Sequence, residues 1–572
     1  MNSAPIRALG LLLCAQLSAC GESDPDRLSG IIITVDTTNR PALGVYGKRR
    51  ATTPNLDALA GESLIYDQAR TVAPVTLPSH ASMMTGLYPT RHQVRDNGLN
   101  PLSPAAETLA ELAGREGYQT GAFISALPLS AMFGLAQGFE VYDEPPSGAR
   151  GARGARDTTR AAIAWLDGLE ASRPMLLWVH YYDPHAPYTP EPEYLRQIAR
   201  DGPAMVAEYL AEIAQMDASI GTLVAHMRKT GWLSRSLVAV VADHGESLGR
   251  NGELTHSFLT YDSVMRVPMF LRYPDGYRAG ERSGEIVSVV DVFPTFASAL
   301  KLPPVQDQDG ENLFKSGVAP DRGVYFESFV GFLNCGWSPL AGWADARGTY
   351  IHGSEPEFFA ASDELQQRNL IAQAAEQIKA YRARIGQVAG RPTLPRAEAA
   401  LDDDTRARIQ ELGYLGQADP TVKVPHPLEP TDLPSPQRHI QEIGPYLQAS
   451  VLGLEGKTEE AIAVLREMLA ATPDNTLALQ MLGGLLHGRK QYQEALSVLE
   501  RAVALRPDML AVVGQLARTL EDLDRPQQAL EVYLSGCDRW PGETRFLSGA
   551  VRVLERLGQT EEAARLRRRL EG

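Results

Sequence analysis

Three short clusters of metal-ligating residue types each follow a run of branched apolar residues. Asp36 follows Ile31 to Val35, His180 and His185 follow Met175 to Val179, and Asp243-His244 follow Leu237 to Val241. Runs of this kind read as buried strands, and open α/β sheets bind ligands just outside the carboxyl ends of their strands. Aspartate oxygens and an imidazole nitrogen gathered at one such edge could hold a divalent cation. Taken singly, each cluster could equally be a polar cap on its strand. A fourth piece is Val75-Thr76-Leu77-Pro78-Ser79-His80. Pro78 suits the first turn of a helix, and Thr76 is expected as its N-cap. A hydroxyl there faces the positive end of the helix dipole, where an anion is stabilised; a capping threonine with no other role fits the same residues.

The elements that must bring these pieces together alternate between strand and helix from Gly30 to about residue 300. Amphipathic stretches at Glu107 to Glu116 and Ala204 to Thr230 lie between the apolar runs. This pattern predicts an α/β domain over 28–375 with a mostly parallel sheet sandwiched by helices. Its last part, 320–375, is less regular. A helical extension is expected over 376–418 and a proline-rich linker over 419–438, marked by Pro420, Pro425, Pro427, Pro430, Pro434 and Pro436. Beyond it, Ala461, Ala495, Ala529 and Ala563 recur every 34 residues, and Pro473, Pro507 and Pro541 keep the same period. Two landmarks in one 34-residue register predict an all-α tetratricopeptide solenoid over 439–572. Such solenoids bind peptides or partner proteins in a groove, or serve as a stalk.

The chain has 572 residues, too many for one core, and a net charge of −15. That charge argues against a nucleic-acid partner. It leaves an anionic substrate open, because a bound cation inverts the field locally. Arg7, the apolar run Ala8 to Leu13, and Leu17-Ser18-Ala19-Cys20 form a secretory signal over 1–20 that resembles a bacterial lipobox. Lipidation of Cys20, attachment to a membrane and residence in the bacterial cell envelope are therefore expected. Gly21, in place of an aspartate, leans toward the outer membrane. Cys335 and Cys537 fall in different expected domains, so no disulfide is expected between them.

Ala73 to Pro89, with Thr76-Leu77-Pro78-Ser79-His80 and Thr85-Gly86-Leu87-Tyr88-Pro89, resembles the sulfatase signature. Asp183-Pro184-His185-Ala186-Pro187-Tyr188, Ala242-Asp243-His244-Gly245-Glu246, Arg266-Val267-Pro268 and Asp291-Val292-Phe293-Pro294-Thr295 follow in the family's order. The chain thus looks like a sulfatase-like member of the alkaline phosphatase superfamily over about 30–375. The resemblance implies that Asp36, Thr76, Asp243 and His244 hold the principal metal, and that Thr76 is the nucleophile. It implies that His185 and His256 take part in catalysis, contacting the substrate anion or a second ion. His80, His180 and Asn97 are further candidates for substrate contact, and His180 could equally be packing.

The departures from the pattern steer the expected chemistry. A threonine with a methyl on its β-carbon cannot become the formylglycine aldehyde of sulfatases. His80 stands where the signature has arginine, and Thr37 where a second aspartate usually follows the first. With one acidic ligand fewer, zinc or manganese is favoured over calcium, as one ion or two. The expectation is an exported hydrolase that cleaves a phosphoester, mono- or diester, through Thr76. The motif Asp243 to Gly249 with Asn251-Gly252 and His256 is close to phosphoethanolamine transferases, but their N-terminal membrane helices have no counterpart here. The alternatives are a sulfuric ester hydrolase using unmodified threonine, and an inactive lipid-anchored binding module.

Overall fold

A computed structural model describes residues 27–47, 52–98, 100–145, 152–198, 202–397, 422–541 and 543–571. The lipobox and Cys20 lie outside them. The first domain is built on eight strands: β1 (Ser29–Val35), β2 (Leu64–Arg70), β3 (Gln119–Phe123), β4 (Val141–Asp143), β5 (Met175–Tyr181), β6 (Ser236–Val241), β7 (Met269–Arg272) and β8 (Arg282–Ser288). Their order is β4-β3-β5-β1-β6-β7-β2-β8. The sheet is parallel except at β7, which runs antiparallel to β6 and β2. β1, β5 and β6 are buried along their whole length, as expected of central strands covered by helices on both faces. The helix Ala204–Lys229 is among those that cover them. Register does the positioning. β1 pairs in parallel with both β5 and β6, setting Thr34 beside His180 and Val241. The residues just past these strands therefore emerge at one edge.

Residues 323–360 are more regular than their sequence suggests. They form the strands β9 (Gly323–Ser328), β10 (Leu340–Asp345), β11 (Gly348–His352) and β12 (Glu357–Ala360), an antiparallel sheet in order β12-β11-β10-β9. The usual alternation of polar and apolar residues is blurred because both faces are covered. Tyr350 and Phe358 pack in one core with Tyr381 of the helix Ala375–Ala389, while Phe326 and Phe359 join another with the solenoid. That helix is shorter than the 376–418 stretch expected. It ends at Gly390, and residues 391–397 are not helical, consistent with Pro392 and Pro395, which lack the N–H a helix needs. The end of the extension, Leu401 to Gly416, lies outside the described residues.

The C-terminal part is a run of paired helices: Ile443–Leu454, Thr458–Ala471, Thr476–Gly488, Tyr492–Leu505, Leu510–Asp522, Pro526–Arg539, Thr544–Arg556 and Thr560–Glu571. Ala461, Ala495, Ala529 and Ala563 are buried in the second helix of each pair. Pro473, Pro507 and Pro541 lie just past helix ends. Among the described residues, no helix is long and apolar enough to cross a membrane. Cys335 and Cys537 are both free and buried.

Close helix approach in the solenoid depends on missing side chains. A Cβ on Gly536 would lie 2.3 Å from Cδ1 of Phe546, a buried residue of the next helix. Gly536→Ala should therefore destabilise the protein by about 1–3 kcal/mol through overpacking, although alanine is favoured over glycine in a free helix by about 1 kcal/mol. Urea unfolding measures this. A gain in stability would mean that the two helices do not approach as described.

Candidate metal centre and active site

Asp36 leaves β1 with its backbone N–H bonded to the Tyr181 carbonyl at 2.9 Å. Asp243 and His244 follow β6 after Ala242, whose N–H donates to the Pro268 carbonyl at 3.1 Å. One donor atom from each of Asp36, Asp243 and His244 lies within 4.8 Å of the others, and all three residues are fully buried. His244 Nε2 is 3.3 Å from Asp243 Oδ2 and 3.9 Å from Asp36 Oδ1. The far nitrogen, Nδ1, lies 3.0 Å from the Gly245 carbonyl and can only donate to it. This bond fixes the tautomer and turns the Nε2 lone pair toward the carboxylates.

Lone pairs therefore face one another without hydrogens between them. Both oxygens of Asp36 and Oδ2 of Asp243 have no hydrogen-bond donor. Burial pushes Asp36 up to about 7. Asp243 is raised by burial and then by the negative charge of Asp36. Buried acceptors left without donors are costly, and a divalent cation would satisfy all of them at once. The residues fit that role. Thr37, standing where a further acid could have been, spends its groups otherwise. Its N–H donates to Asp243 Oδ1 at 3.2 Å, and its hydroxyl donates to the Pro184 carbonyl. The donor set is thus mixed oxygen and nitrogen rather than an all-oxygen cage, which suits zinc or manganese better than calcium.

Thr76 is not the N-cap expected from sequence. The helix spans Thr76–Thr85 with Val75 in the cap position, whose own side chain makes no capping bond. Its hydroxyl instead lies 3.4 Å from His244 Nε2. The start of the helix is held by other groups. The Leu77 N–H donates to Asn97 Oδ1 at 2.7 Å, and the Ser79 hydroxyl donates to the Asp243 carbonyl at 2.8 Å. Freed from capping, the Thr76 hydroxyl is presented at the carboxylate cluster. Asn97 Nδ2 is buried with no partner.

The remaining histidines divide into two groups. His80 and His180 are fully buried against the carboxylates. His80 Nδ1 donates to the Thr76 carbonyl at 2.8 Å, and the ring packs 5.4 Å from Trp178 and 5.1 Å from His180. His180 is in β5 itself, with Nε2 3.3 Å from Asp36 Oδ2. Burial pulls the two imidazoles down to about 3 and about 4, which keeps them neutral. Their geometry suits orienting Thr76 and Asp36 rather than touching a substrate. His256 and His185 group next to His244. The His256 ring is 4.4 Å from that of His244 and meets His185 edge to face at 5.2 Å. His185 stacks on Tyr182 at 4.2 Å.

Glu246 is a residue that sequence reasoning left without a role. Its Oε1 is 3.2 Å from His256 Nδ1, its Oε2 accepts from the Tyr188 hydroxyl at 2.9 Å, and Asn39 bonds to its backbone on both sides. Position 246 within Asp243-His244-Gly245-Glu246 was visible, but only folding shows that it faces a histidine ten residues away.

Residues 30–302 match the family model described as sulfatase, and 486–536 match a tetratricopeptide repeat model. The chain is 24% identical over 476 residues to an ulvan-active sulfatase of Formosa agariphila, covering 72% of this chain and 88% of that protein. It is 27% identical over 359 residues to arylsulfatase A of Homo sapiens, covering 52% and 69%. Among solved structures, the phosphonate monoester hydrolase of Agrobacterium radiobacter aligns with a TM-score of 0.54 at 21% identity, covering 63% of this chain and 96% of that one.

The raised Asp36 contributes to the pH behaviour of the metal-free protein, beside other buried carboxyls such as Glu212, Glu246 and Glu253, each pushed up to about 8. Its carboxyl ionises at about 7 in the fold against 3.8 ordinarily. The unfolded chain therefore loses this proton first, and the metal-free fold should lose stability as pH rises between those values. Cation binding must displace the proton, so apparent affinity for Mn²⁺ or Zn²⁺ should weaken about tenfold per pH unit below 7. Calorimetry in two buffers of different ionisation enthalpy reads the released proton. Asp36→Asn should abolish the metal-induced rise in Tm; an unchanged rise would place the ion elsewhere.

Proposed function

Residues 30–302 belong to the sulfatase family of hydrolases, and from that premise we propose that this chain cleaves a phosphoester with Thr76 as its nucleophile. One observation carries the reading: the Thr76 hydroxyl, on a carbon that bars conversion to an aldehyde, lies 3.4 Å from His244 Nε2 at the edge of the carboxylate cluster. Asp36, Asp243 and His244 would hold a divalent cation beside Thr76. When bound, that cation supplies Lewis-acid stabilisation of a threonine alkoxide and of the charge on the ester.

The chain's own residues do the rest. Thr76 Oγ1 releases its proton to solvent water and attacks phosphorus opposite the leaving oxygen. The Oγ1–P bond forms as the P–O bond to the leaving group breaks, and the departing oxygen takes a proton from solvent. The unpartnered amide of Asn97 donates to a non-bridging oxygen, a contact strengthened as charge develops. His185 and His256 line the other side of the phosphoryl group. Water then attacks the phosphothreonine, the Oγ1–P bond breaks, and Thr76 recovers its proton. His80 and His180 keep Thr76 and Asp36 in place.

Sulfuric ester hydrolysis by the same threonine is the second reading, favoured by the relatives, which are named as sulfatases. The lipobox at Cys20 supports export and attachment to the cell envelope, and the repeats support a protein partner.

The test uses residues 22–572 loaded with zinc or manganese and given aryl phosphate monoester, phosphodiester and sulfate ester. Thr76→Ala should lower kcat by at least about a thousandfold. Thr76→Ser should keep measurable turnover, and rapid quenching should yield a phosphorylated peptide containing Thr76. Near-normal turnover by Thr76→Ala would sink the mechanism. Turnover of the sulfate ester alone would establish the second reading.

A further inference from the structure

The solenoid does not stand clear of the first domain. One continuous apolar core holds Val75, Phe258 and Trp337 together with Ile440, Tyr446 and Leu482. Val75 precedes Thr76, and Phe258 is two residues past His256. The core that seats the first helices of the solenoid therefore also seats the neighbours of two side chains of the reaction centre. Polar contacts flank it. The Ser338 N–H donates to the Pro434 carbonyl at 2.8 Å, and Gln437 Nε2 donates at 3.2 Å to Glu357, which also accepts from the Tyr261 hydroxyl at 2.7 Å.

The solenoid approaches the segment 249–261 in its first half. Gly252 has a φ of +83°, and a Cβ there would lie 3.2 Å from Ile440 Cγ2. A Cβ on Gly444 would lie 3.1 Å from the tip of Leu254. Within the segment, the buried Glu253 carboxylate accepts from the Phe258 N–H at 2.9 Å and from the Ser247 hydroxyl at 3.2 Å. This tie spans His256, so a shift of Phe258 is carried to the histidine.

We infer that the start of the solenoid is a positioning element of the hydrolytic site: residues 440–454 hold the 249–261 segment and, through it, His256. The inference rests on the reading above that Thr76 and His256 belong to one reaction centre. It also gives the repeats a role besides recruitment, since Tyr446 and Leu482 are already buried in a core that includes the chain's own Trp337 and Phe258. A separate peptide would have to use the later repeats.

The test compares full-chain variants. Tyr446→Ala opens the shared core, and Ile440→Ala is a milder version should the first fail to fold. Leu520→Ala, buried in a later repeat, is the control for loss of solenoid stability alone. Hydrogen exchange of the 249–261 segment should rise in the first two variants, and kcat should fall about ten- to a hundredfold with less change in KM. Leu520→Ala should change neither. Faster exchange in 440–454 with unchanged exchange in 249–261 and unchanged kcat would overturn the inference, as would equal effects from Leu520→Ala. If the unmodified chain hydrolyses none of the three esters, the Thr76 reading falls, and exchange in 249–261 alone decides this one.

Discussion

Two carboxylates that water cannot reach, Asp36 and Asp243, are the constraint around which the first domain is arranged. An ionised carboxylate taken out of water costs several kcal/mol even after relaxation. A fold accepts that cost only where a counter-charge repays it. The neighbouring imidazoles do not repay it, because burial drives His80, His180 and His256 toward the neutral form. The carboxyl edge of β1 and β6 can therefore meet that cost only by taking up a proton, as the raised Asp36 does, or by holding a cation. Under the proposed function, a cation held there would let a chain of net charge −15 take an anionic ester, because the ester would meet the ion and not the net charge.

Much of this was legible in the sequence for a physical reason. Central parallel strands are buried on both faces, so Ile31 to Val35, Met175 to Val179 and Leu237 to Val241 read as unbroken apolar runs, and whatever follows them must emerge together. The 34-residue register of alanines and prolines was legible because each repeat makes the same close contact. What stayed hidden depends on contacts distant in sequence. Nothing local distinguishes a threonine that caps its helix from one that points away, and the difference here comes from Asn97 and Asp243, which hold the helix start in its place. His80 and His180 look like ligands in the sequence because residue type carries no information about which side of a carboxylate a ring will occupy. Glu246 went without a role for the same reason. The four strands β9 to β12 were obscured because burial on both faces erased their alternation.

Thr37 shows how one substitution in the pattern can redirect a site without loosening it. A second aspartate there would add a negative oxygen to a cluster already short of positive charge. Threonine instead closes two hydrogen bonds, one to Asp243 and one to the Pro184 carbonyl on the loop that carries His185. The site gives up a hard oxygen ligand and gains a fixed distance between its metal-binding and anion-facing halves. That exchange leaves a donor set of mixed oxygen and nitrogen, in keeping with the proposal that Thr76 acts as an alcohol rather than as an aldehyde hydrate.

The same economy bears on the junction between the domains. A loop carrying a reactive histidine gains precision when its neighbours are buried, but a loop at the mouth of a site cannot be buried on the side that admits substrate. The segment 249–261 buries Phe258 and Leu259, while Leu254 stays half exposed next to Gly444. The apolar surface that receives Phe258 is completed by Ile440 and Tyr446, from beyond the proline-rich linker. A first domain ending near residue 390 would leave that surface facing water. The first repeat thus completes a core shared with the neighbours of Thr76 and His256, and on the proposed reading only the later repeats would be left for a partner.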